Sequence, residues 1–487
     1  MKHVGPSAAR FSDKMREECG IFGIHAHSDS AAHTTLGLHA LQHRGQEAAG
    51  IVTYDGDHYH SHRSLGLVGD HFSSAVVIDR LKGHAAIGHV RYSTSGETLF
   101  RNIQPLFAEF AFGGLAIAHN GNLTNAISVR RRLVERGCLF QSTSDTEVII
   151  HLIAISSYAT VVDRMIDALR QIDGAYSLIA LSNEALIGVR DRFGVRPLVL
   201  GRLEGALILA SETCALDIIG AEFVRDVEPG EVVVIDSEGL RSMRPFPPAA
   251  SKFCIFEYVY FARPDSQVEG SNVYDVRKRI GAQLARETGV AADIVVPVPD
   301  SGVPAAIGYA TESGLPFELG IVRNHYVGRT FIEPSDRIRH LGVKLKHNSN
   351  AGTLRGKRVV LVDDSIVRGT TSEKIVNMVR DVGAAEVHMR IASPPTIESC
   401  FYGVDTPTRD DLLAARFDVD RMAVHIGVDS LAFLSPDGMY RALGRAGRDP
   451  KTPQYCDACF TGDYPIPLTD HKGGDDARQL SLLSDED

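Results

Sequence analysis

The sequence predicts two domains in tandem: an α+β sandwich of two antiparallel sheets between outer helices (αββα), then an α/β domain on a parallel sheet. Two patterns and a break between them lead there. From Cys19 to Asp236 short strand-like runs are grouped, at Ile51–Tyr54, Ala85–Val90, Leu115–Asn120, Ser177–Leu181, Ala185–Arg190 and Glu231–Ile235. Helical periodicity covers Ala31–His43, Asn125–Arg136 and Thr146–Ser156 between them. From Tyr274 the order alternates instead. Helix Tyr274–Glu287, strand Ile294–Pro297, helix Val303–Thr311, strand Val359–Val362, helix Thr370–Asp381 and strand Glu386–Ile391 form crossover units of a parallel sheet. Arg241–Ser251, with Pro245, Pro247 and Pro248, reads as the linker. The expected domains are 19–250 and 251–466, with a Gly/Asp/Ser-rich tail over 467–487 expected to be disordered.

Composition narrows the function. A chain of 487 residues with net charge -10 has material for a large core and argues against a general nucleic-acid surface. No apolar run is long enough to span a membrane. The first eighteen residues carry Arg10, Lys14 and Arg16 without an apolar core, so they are not a secretory signal, and a cytoplasmic location is expected. Seven cysteines in so long a chain are individual chemical groups rather than a disulfide scaffold.

The most informative run is Val359 to Thr371. A Val/Leu strand ends in Asp363 and Asp364, and Arg368-Gly369-Thr370-Thr371 then turns the chain into a helix. Open parallel sheets bind ligands at the carboxyl ends of their strands. A Gly/Thr turn into a helix offers N–H and hydroxyl donors to a phosphate. Adjacent carboxylates suit ribose hydroxyls or Mg²⁺. The plain alternative is an acidic turn before a helix. A second turn, Val296 to Gly302, ends the preceding strand of the same expected sheet and includes Asp300, Ser301 and Gly302.

Four runs in the first half belong together. Cys19 stands at the head of an apolar strand, and His43-Arg44-Gly45-Gln46-Glu47 follows a helix. Arg91 ends a strand, and Asn120-Gly121 ends another. Singly these are a buried hydrophobe, a surface ion pair and a hairpin turn. Jointly they supply a nucleophile, a guanidinium for a carboxylate, and an amide with a backbone N–H for an oxyanion. Asp145 precedes the helix at Thr146, where it is also a candidate N-cap.

These runs resemble the class II glutamine amidotransferase domain, an N-terminal-nucleophile hydrolase fold, over Cys19–Asp236. The resemblance implies that Cys19 attacks the glutamine amide and that its freed α-amine is the general base, since an amine of pKa ~8 accepts a proton near neutrality. It implies a propeptide, residues 1–18, removed by the protein itself. Asn120 and Gly121 are then the oxyanion donors, Arg91 the partner of the substrate carboxylate and Asp145 that of its ammonium. The run at 359–371 resembles the signature of type I phosphoribosyltransferases, which use phosphoribosyl pyrophosphate (PRPP). That resemblance gives Arg368, Gly369, Thr370 and Thr371 the 5-phosphate. It gives Asp363 and Asp364 the ribose and, with Ser301, Mg²⁺. Asp300, Ser301 and Gly302 take the pyrophosphate. The basic stretch from Arg323 to Lys346 then reads as a lid carrying Tyr326, although a charge run is usually a solvated face.

Tyr455-Cys456-Asp457-Ala458-Cys459 is a lone CxxC: redox-active, a zinc half-site or chance. With Cys254 and Cys400 it can close a Cys₄ site for zinc or a [4Fe–4S] cluster, leaving Cys138 and Cys214 as core residues. The contexts of these cysteines resemble the iron–sulfur branch of enzymes joining the two domains. This implies a structural [4Fe–4S] cluster and a Mg²⁺ in each subunit, a homotetramer, and inhibition by purine nucleotides. It also implies the reaction of glutamine, PRPP and water to 5-phosphoribosylamine, glutamate and pyrophosphate, which commits material to purine (IMP) synthesis, with ammonia channelled between the sites. The rival expectations are a non-catalytic PRPP- or purine-sensing regulator and a different class II amidotransferase.

Overall fold

The computed structural model describes residues 16–17, 19–92, 99–324 and 347–471. The first domain is the predicted four-layer sandwich. Its seven-stranded sheet runs in the order 222–226, 199–203, 206–210, 20–25, 85–91, 48–54 and 59–65, all antiparallel. The facing six-stranded sheet runs 239–243, 232–236, 186–190, 174–182, 113–123 and 106–110. Ile21, Val52 and Ile87 from one sheet pack on Ala118, Ile179 and Leu186 from the other. Each such large aliphatic contributes roughly 1.5–3 kcal/mol by leaving water. The helix Ser30–Ala40 covers the outer face of the first sheet, and the helices Ala126–Glu135, Thr146–Ile155 and Val161–Leu169 cover the second. Strands such as Ala48–Tyr54 and Gly174–Ser182 are buried on both faces. They therefore read as continuous apolar runs rather than as alternation.

The second domain is a parallel sheet in the order 294–297, 358–363, 386–391 and 430–433. Helices Val273–Thr288 and Val303–Ser313 pack against one another, and Thr370–Asp381 returns the chain to the sheet. Predicted and observed elements agree to within a few residues, because both halves have strong apolar periodicity.

Compositional reading of the tail does not hold for its first residues. Residues 467–471 are tied to the first domain. The Asp470 N–H donates to the Thr124 carbonyl, and its carboxylate accepts from the N–H groups of Ile127 (2.7 Å) and Ser128 (3.1 Å). It thereby satisfies free donors at the start of helix Ala126–Glu135. The rest of the tail, Tyr326 with most of the basic stretch, and most of the residues preceding Cys19 lie outside the described residues. Cys214 is buried as expected, whereas Cys138 is only half-buried. Among the described residues no helix is long and apolar enough to cross a membrane.

Candidate active sites

Cys19 leads into a central strand of the seven-stranded sheet. Its φ is +71, a left-handed conformation that costs a non-glycine residue roughly 1–2 kcal/mol. Its N–H donates to the Arg44 carbonyl at 3.2 Å. The pairing of Gly20 with Val90 brings it to the end of the strand that carries Arg91. Gly45 completes this corner, because a Cβ there would stand 2.6 Å from the Arg91 backbone nitrogen. The His43–Glu47 run therefore seats the strand end, a role its spacing did not disclose.

Asn120 and Gly121 come from the opposite sheet, paired with Ser177 and Tyr176. Gly121 has φ +139, and a Cβ would lie 2.0 Å from the Ala175 carbonyl oxygen, so only glycine fits. Asn120 is fully buried, and neither its Oδ1 nor its Nδ2 has a protein hydrogen-bond partner. A buried amide left unmatched by the protein is costly. Such a group is normally completed by something that enters the site.

Arg91 is buried and donates from Nη1 to the Asn102 carbonyl at 3.2 Å. The Asn102 side chain in turn bonds both ways to Thr143, at 2.8 and 2.9 Å, so the arginine and the turn leading to Asp145 are held by one residue. Asn102 was not singled out from sequence, where it is one polar residue in a loop. Asp145 stands at the cap position of helix Thr146–Ile155 but makes no side-chain cap bond. Its Oδ2 accepts instead from the Leu123 N–H at 3.0 Å, which ties it to the strand Gly113–Leu123. That strand runs on through Asn120 and Gly121 rather than ending at them, because both stay paired with the neighbouring strand. Burial alone would raise its pKa. The charge and hydrogen bond of His119, the Leu123 N–H and the Arg91 charge outweigh burial and hold the carboxyl below its usual range. A cation and a carboxylate that feel one another in a buried site form a complementary pair for a zwitterionic amino acid. Burial, with the Arg91 charge next, lowers the His89 pKa to about 3, so this ring is neutral.

Beneath Cys19 lies a buried charge network. Arg44, fully buried, is ion-paired from Nε to Glu212 and from Nη2 to Glu257 at 2.8 Å. Glu212 also accepts from His43 Nε2 (2.6 Å), the Arg263 N–H (2.8 Å) and Ser266 Oγ (2.6 Å). Glu257 and Arg263 lie beyond the linker, so this network fastens the two domains beneath the nucleophile. The sequence signal for it was present only as the His43–Glu47 run.

In the second domain the two predicted loops meet. Strands 294–297 and 358–363 are parallel neighbours, with Pro297 opposite Val362. A Cβ on Gly302 would stand 2.5 Å from the Val362 carbonyl oxygen, so the turn at Asp300–Gly302 closes against the strand just before Asp363. Asp363 and Asp364 are both 2% exposed. Asp363 Oδ1 accepts from the Asp364 N–H (2.9 Å), and Asp364 Oδ2 from Ser365 Oγ (2.6 Å). Gly369, φ +83, caps the helix whose first residues are Thr370 and Thr371, which places a helix N-terminus beside the carboxylates. Arg368 is 3.7 Å from Asp411, and Arg323 pairs with Asp300. Arg277, missed from sequence, is buried, with its guanidinium bonded to the Tyr258 and Ala262 carbonyls. Burial lowers its pKa to about 10, opposed chiefly by the charge of Asp364.

The four predicted cysteines are also gathered. Phe253–Cys254 pairs in parallel with Tyr455–Cys456, with Cys254 opposite Cys456. The N–H groups of Ile397 and Glu398 both donate to the Cys459 carbonyl, and the Tyr402 N–H points to Cys400 Sγ at 3.4 Å. None of the four is in a disulfide. Burial first, then the neighbouring cysteines, push the Cys456 and Cys459 thiols up, and burial pushes Cys254 to about 12. Clustered sulfurs of this kind, two buried and two half-buried, are favoured as thiolates around a cationic centre. Among the described residues no three His, Cys, Asp or Glu side chains form a single-ion group.

Comparison with known proteins agrees with this division. A glutamine amidotransferase domain model matches residues 89–217, and a phosphoribosyl transferase domain model matches residues 268–392. An amidophosphoribosyltransferase from Rhizobium etli is 58% identical over 97% of this chain and 96% of its own length. One from Bacillus subtilis is 47% identical over 93% and 95%. The solved B. subtilis glutamine PRPP amidotransferase, complexed with ADP and GMP, superposes with a TM-score of 0.88 at 46% identity, covering 92% of this chain and 98% of that one.

Proposed function

The chain belongs to the amidophosphoribosyltransferase family, and from that premise we propose how its residues divide the work. The enzyme converts glutamine, PRPP and water to 5-phosphoribosylamine, glutamate and pyrophosphate, the committed step of purine synthesis. Cys19 Sγ attacks the glutamine amide carbon, with the freed Cys19 amine as base, held by the Arg44 carbonyl. The Asn120 amide and the Gly121 N–H receive the oxyanion. Arg91 and Asp145 bind the α-carboxylate and α-ammonium. The observation that carries this assignment is the buried, unmatched Asn120 amide facing the same interior as the strand headed by Cys19.

Ammonia then reaches the ribose. In bulk water at neutral pH it would be largely protonated and non-nucleophilic, so a closed path between the sites is favoured. Asp363 and Asp364 hold the ribose hydroxyls and stabilise positive charge developing as pyrophosphate departs. Arg368 to Thr371 hold the 5-phosphate, and Asp300 to Gly302 the pyrophosphate. Asp363, Asp364 and Ser301 would hold Mg²⁺, which neutralises the leaving group when bound. Cys254, Cys400, Cys456 and Cys459 would hold a [4Fe–4S] cluster that clamps the C-terminal segment. Purine nucleotides carry a ribose 5-phosphate that the same cradle accepts, which supports feedback inhibition in a homotetramer.

Glutamate and pyrophosphate release with each substrate omitted in turn tests the main reading. Glutamate formation without Cys19 at the mature N-terminus would overturn the nucleophile assignment. Anaerobic iron and sulfide analysis tests the cluster, and stoichiometric zinc would refute it.

A further inference from the structure

We infer that the two-residue strand Val404–Asp405 of the second domain is the docking strand for the chain preceding Cys19, holding the bond between residues 18 and 19 for cleavage. The inference rests on the reading of Cys19 as a nucleophile freed by removal of residues 1–18. Three placements carry it. Arg16–Glu17 pairs antiparallel with this strand, Arg16 opposite Asp405 and Glu17 opposite Val404. The chain then turns at Cys19, φ +71, into the seven-stranded sheet. The segment leading into the docking strand is itself seated on the strand Gly113–Leu123. Gly403, φ +105, lies so close that a Cβ would stand 2.9 Å from the Gly121 Cα, and Asn122 Nδ2 donates to the Phe401 carbonyl at 2.9 Å. The segment Phe401–Asp405 therefore touches both the leader and the strand that carries Asn120 and Gly121.

Strand addition holds a peptide by its backbone and is indifferent to its side chains. It fits a leader that must be gripped once and then lost. The torsion φ of Cys19 is defined by the carbonyl of residue 18, so cutting that bond removes the left-handed constraint. In the step, the Cys19 thiol adds to that carbonyl. The acyl group passes from nitrogen to sulfur as the C–N bond breaks, and the nitrogen takes up the thiol proton. Water then hydrolyses the thioester to a leader carboxylate and the free thiol. The bond from the Cys19 N–H to the Arg44 carbonyl keeps the new amine in place.

Intact-mass spectrometry of the purified full chain over time is the test, with ammonia-dependent synthesis as the check on folding. Glu17→Pro and Val404→Pro should each slow trimming at least about tenfold, the equivalent of about 1.4 kcal/mol of lost positioning. Glu17→Ala, which leaves the backbone free to take the strand conformation, should trim at the wild-type rate. Glu17→Pro leaves the mature chain unchanged and so decides the matter even where Val404→Pro does not fold. A wild-type rate in Glu17→Pro, a normal rate in a folded Val404→Pro, or a slow Glu17→Ala would each overturn the docking strand while leaving the nucleophile intact. A fully glutamine-active wild-type enzyme that retains Met1 would instead overturn the nucleophile reading.

Discussion

The proposed phosphoribose cradle of the second domain lies in one run from Val359 to Thr371, whereas the proposed glutamine site draws Cys19, Arg91, Asn120 and Asp145 from four separate segments. In a parallel sheet all strands point the same way, so groups at their carboxyl ends gather at one edge by topology alone. The turn at Asp300–Gly302 closes against the strand just before Asp363 for that reason. An antiparallel sandwich has no such edge. Its site depends on the register of two sheets and on the contacts that lock their ends, such as Asn102 between Arg91 and Thr143. The amidase half should therefore be the more sensitive to changes outside its chemistry, and the two activities should be separable by mutation.

Cys19→Ala breaks the comparison most sharply. Glutamine-dependent synthesis should fall by roughly 10⁴-fold or more, while ammonia-dependent synthesis stays near wild type. Parallel loss of both rates would show the halves to be inseparable. Asp363→Asn should lower both rates by about 10²–10³-fold, since either nitrogen source needs the ribose site. A selective loss of the glutamine-dependent rate would sink that role. Asn120→Ala should reduce the glutamine-dependent kcat by about 10²-fold with little change in glutamine KM, the signature of a group that acts in the transition state.

Smaller effects probe the supports. Arg44→Met takes a buried cation from Glu212, which keeps His43, the Arg263 N–H and Ser266, and from Glu257, which keeps Arg196, and should cost about 3 kcal/mol in urea unfolding. An unchanged midpoint would show that the network is relaxed by water. Asp145 gives a pH test. Folding lowers its pKa, so the contribution of its charge is present above the unfolded carboxylate value of about 3.9 and is lost as pH falls through the lower folded value. The urea-midpoint gap between wild type and Asp145→Asn should therefore hold steady from about pH 8 to 5 and narrow only below about 4. Narrowing between pH 7 and 5 would contradict the assigned direction.

Legibility followed contact range. The strands and helices around both sites were readable because apolar periodicity is local, and the diacid turn was readable because its chemistry is contiguous. Asp145 was half-read: its place before a helix suggested a cap, but its carboxylate is spent on the Leu123 N–H. Residues 467–471 were misjudged because composition carries no record of a helix start that needs a carboxylate. Arg44 was seen as part of a run and not as a buried bridge, since its partners Glu212 and Glu257 are remote in the chain.

The sequence by itself determined the two-domain order, because spacing along a strand or helix fixes which neighbours share a face, and it proposed the cradle at 359–371 and the residue types of the glutamine site. Only the tertiary structure decided that Arg91 and Asp145 are held through Asn102 and Thr143. It alone set Arg44 across the domain boundary and seated Gly403 on Gly121 beside the strand that grips residues 16–17. Those placements depend on sheet register and on burial between remote segments, which no local pattern encodes.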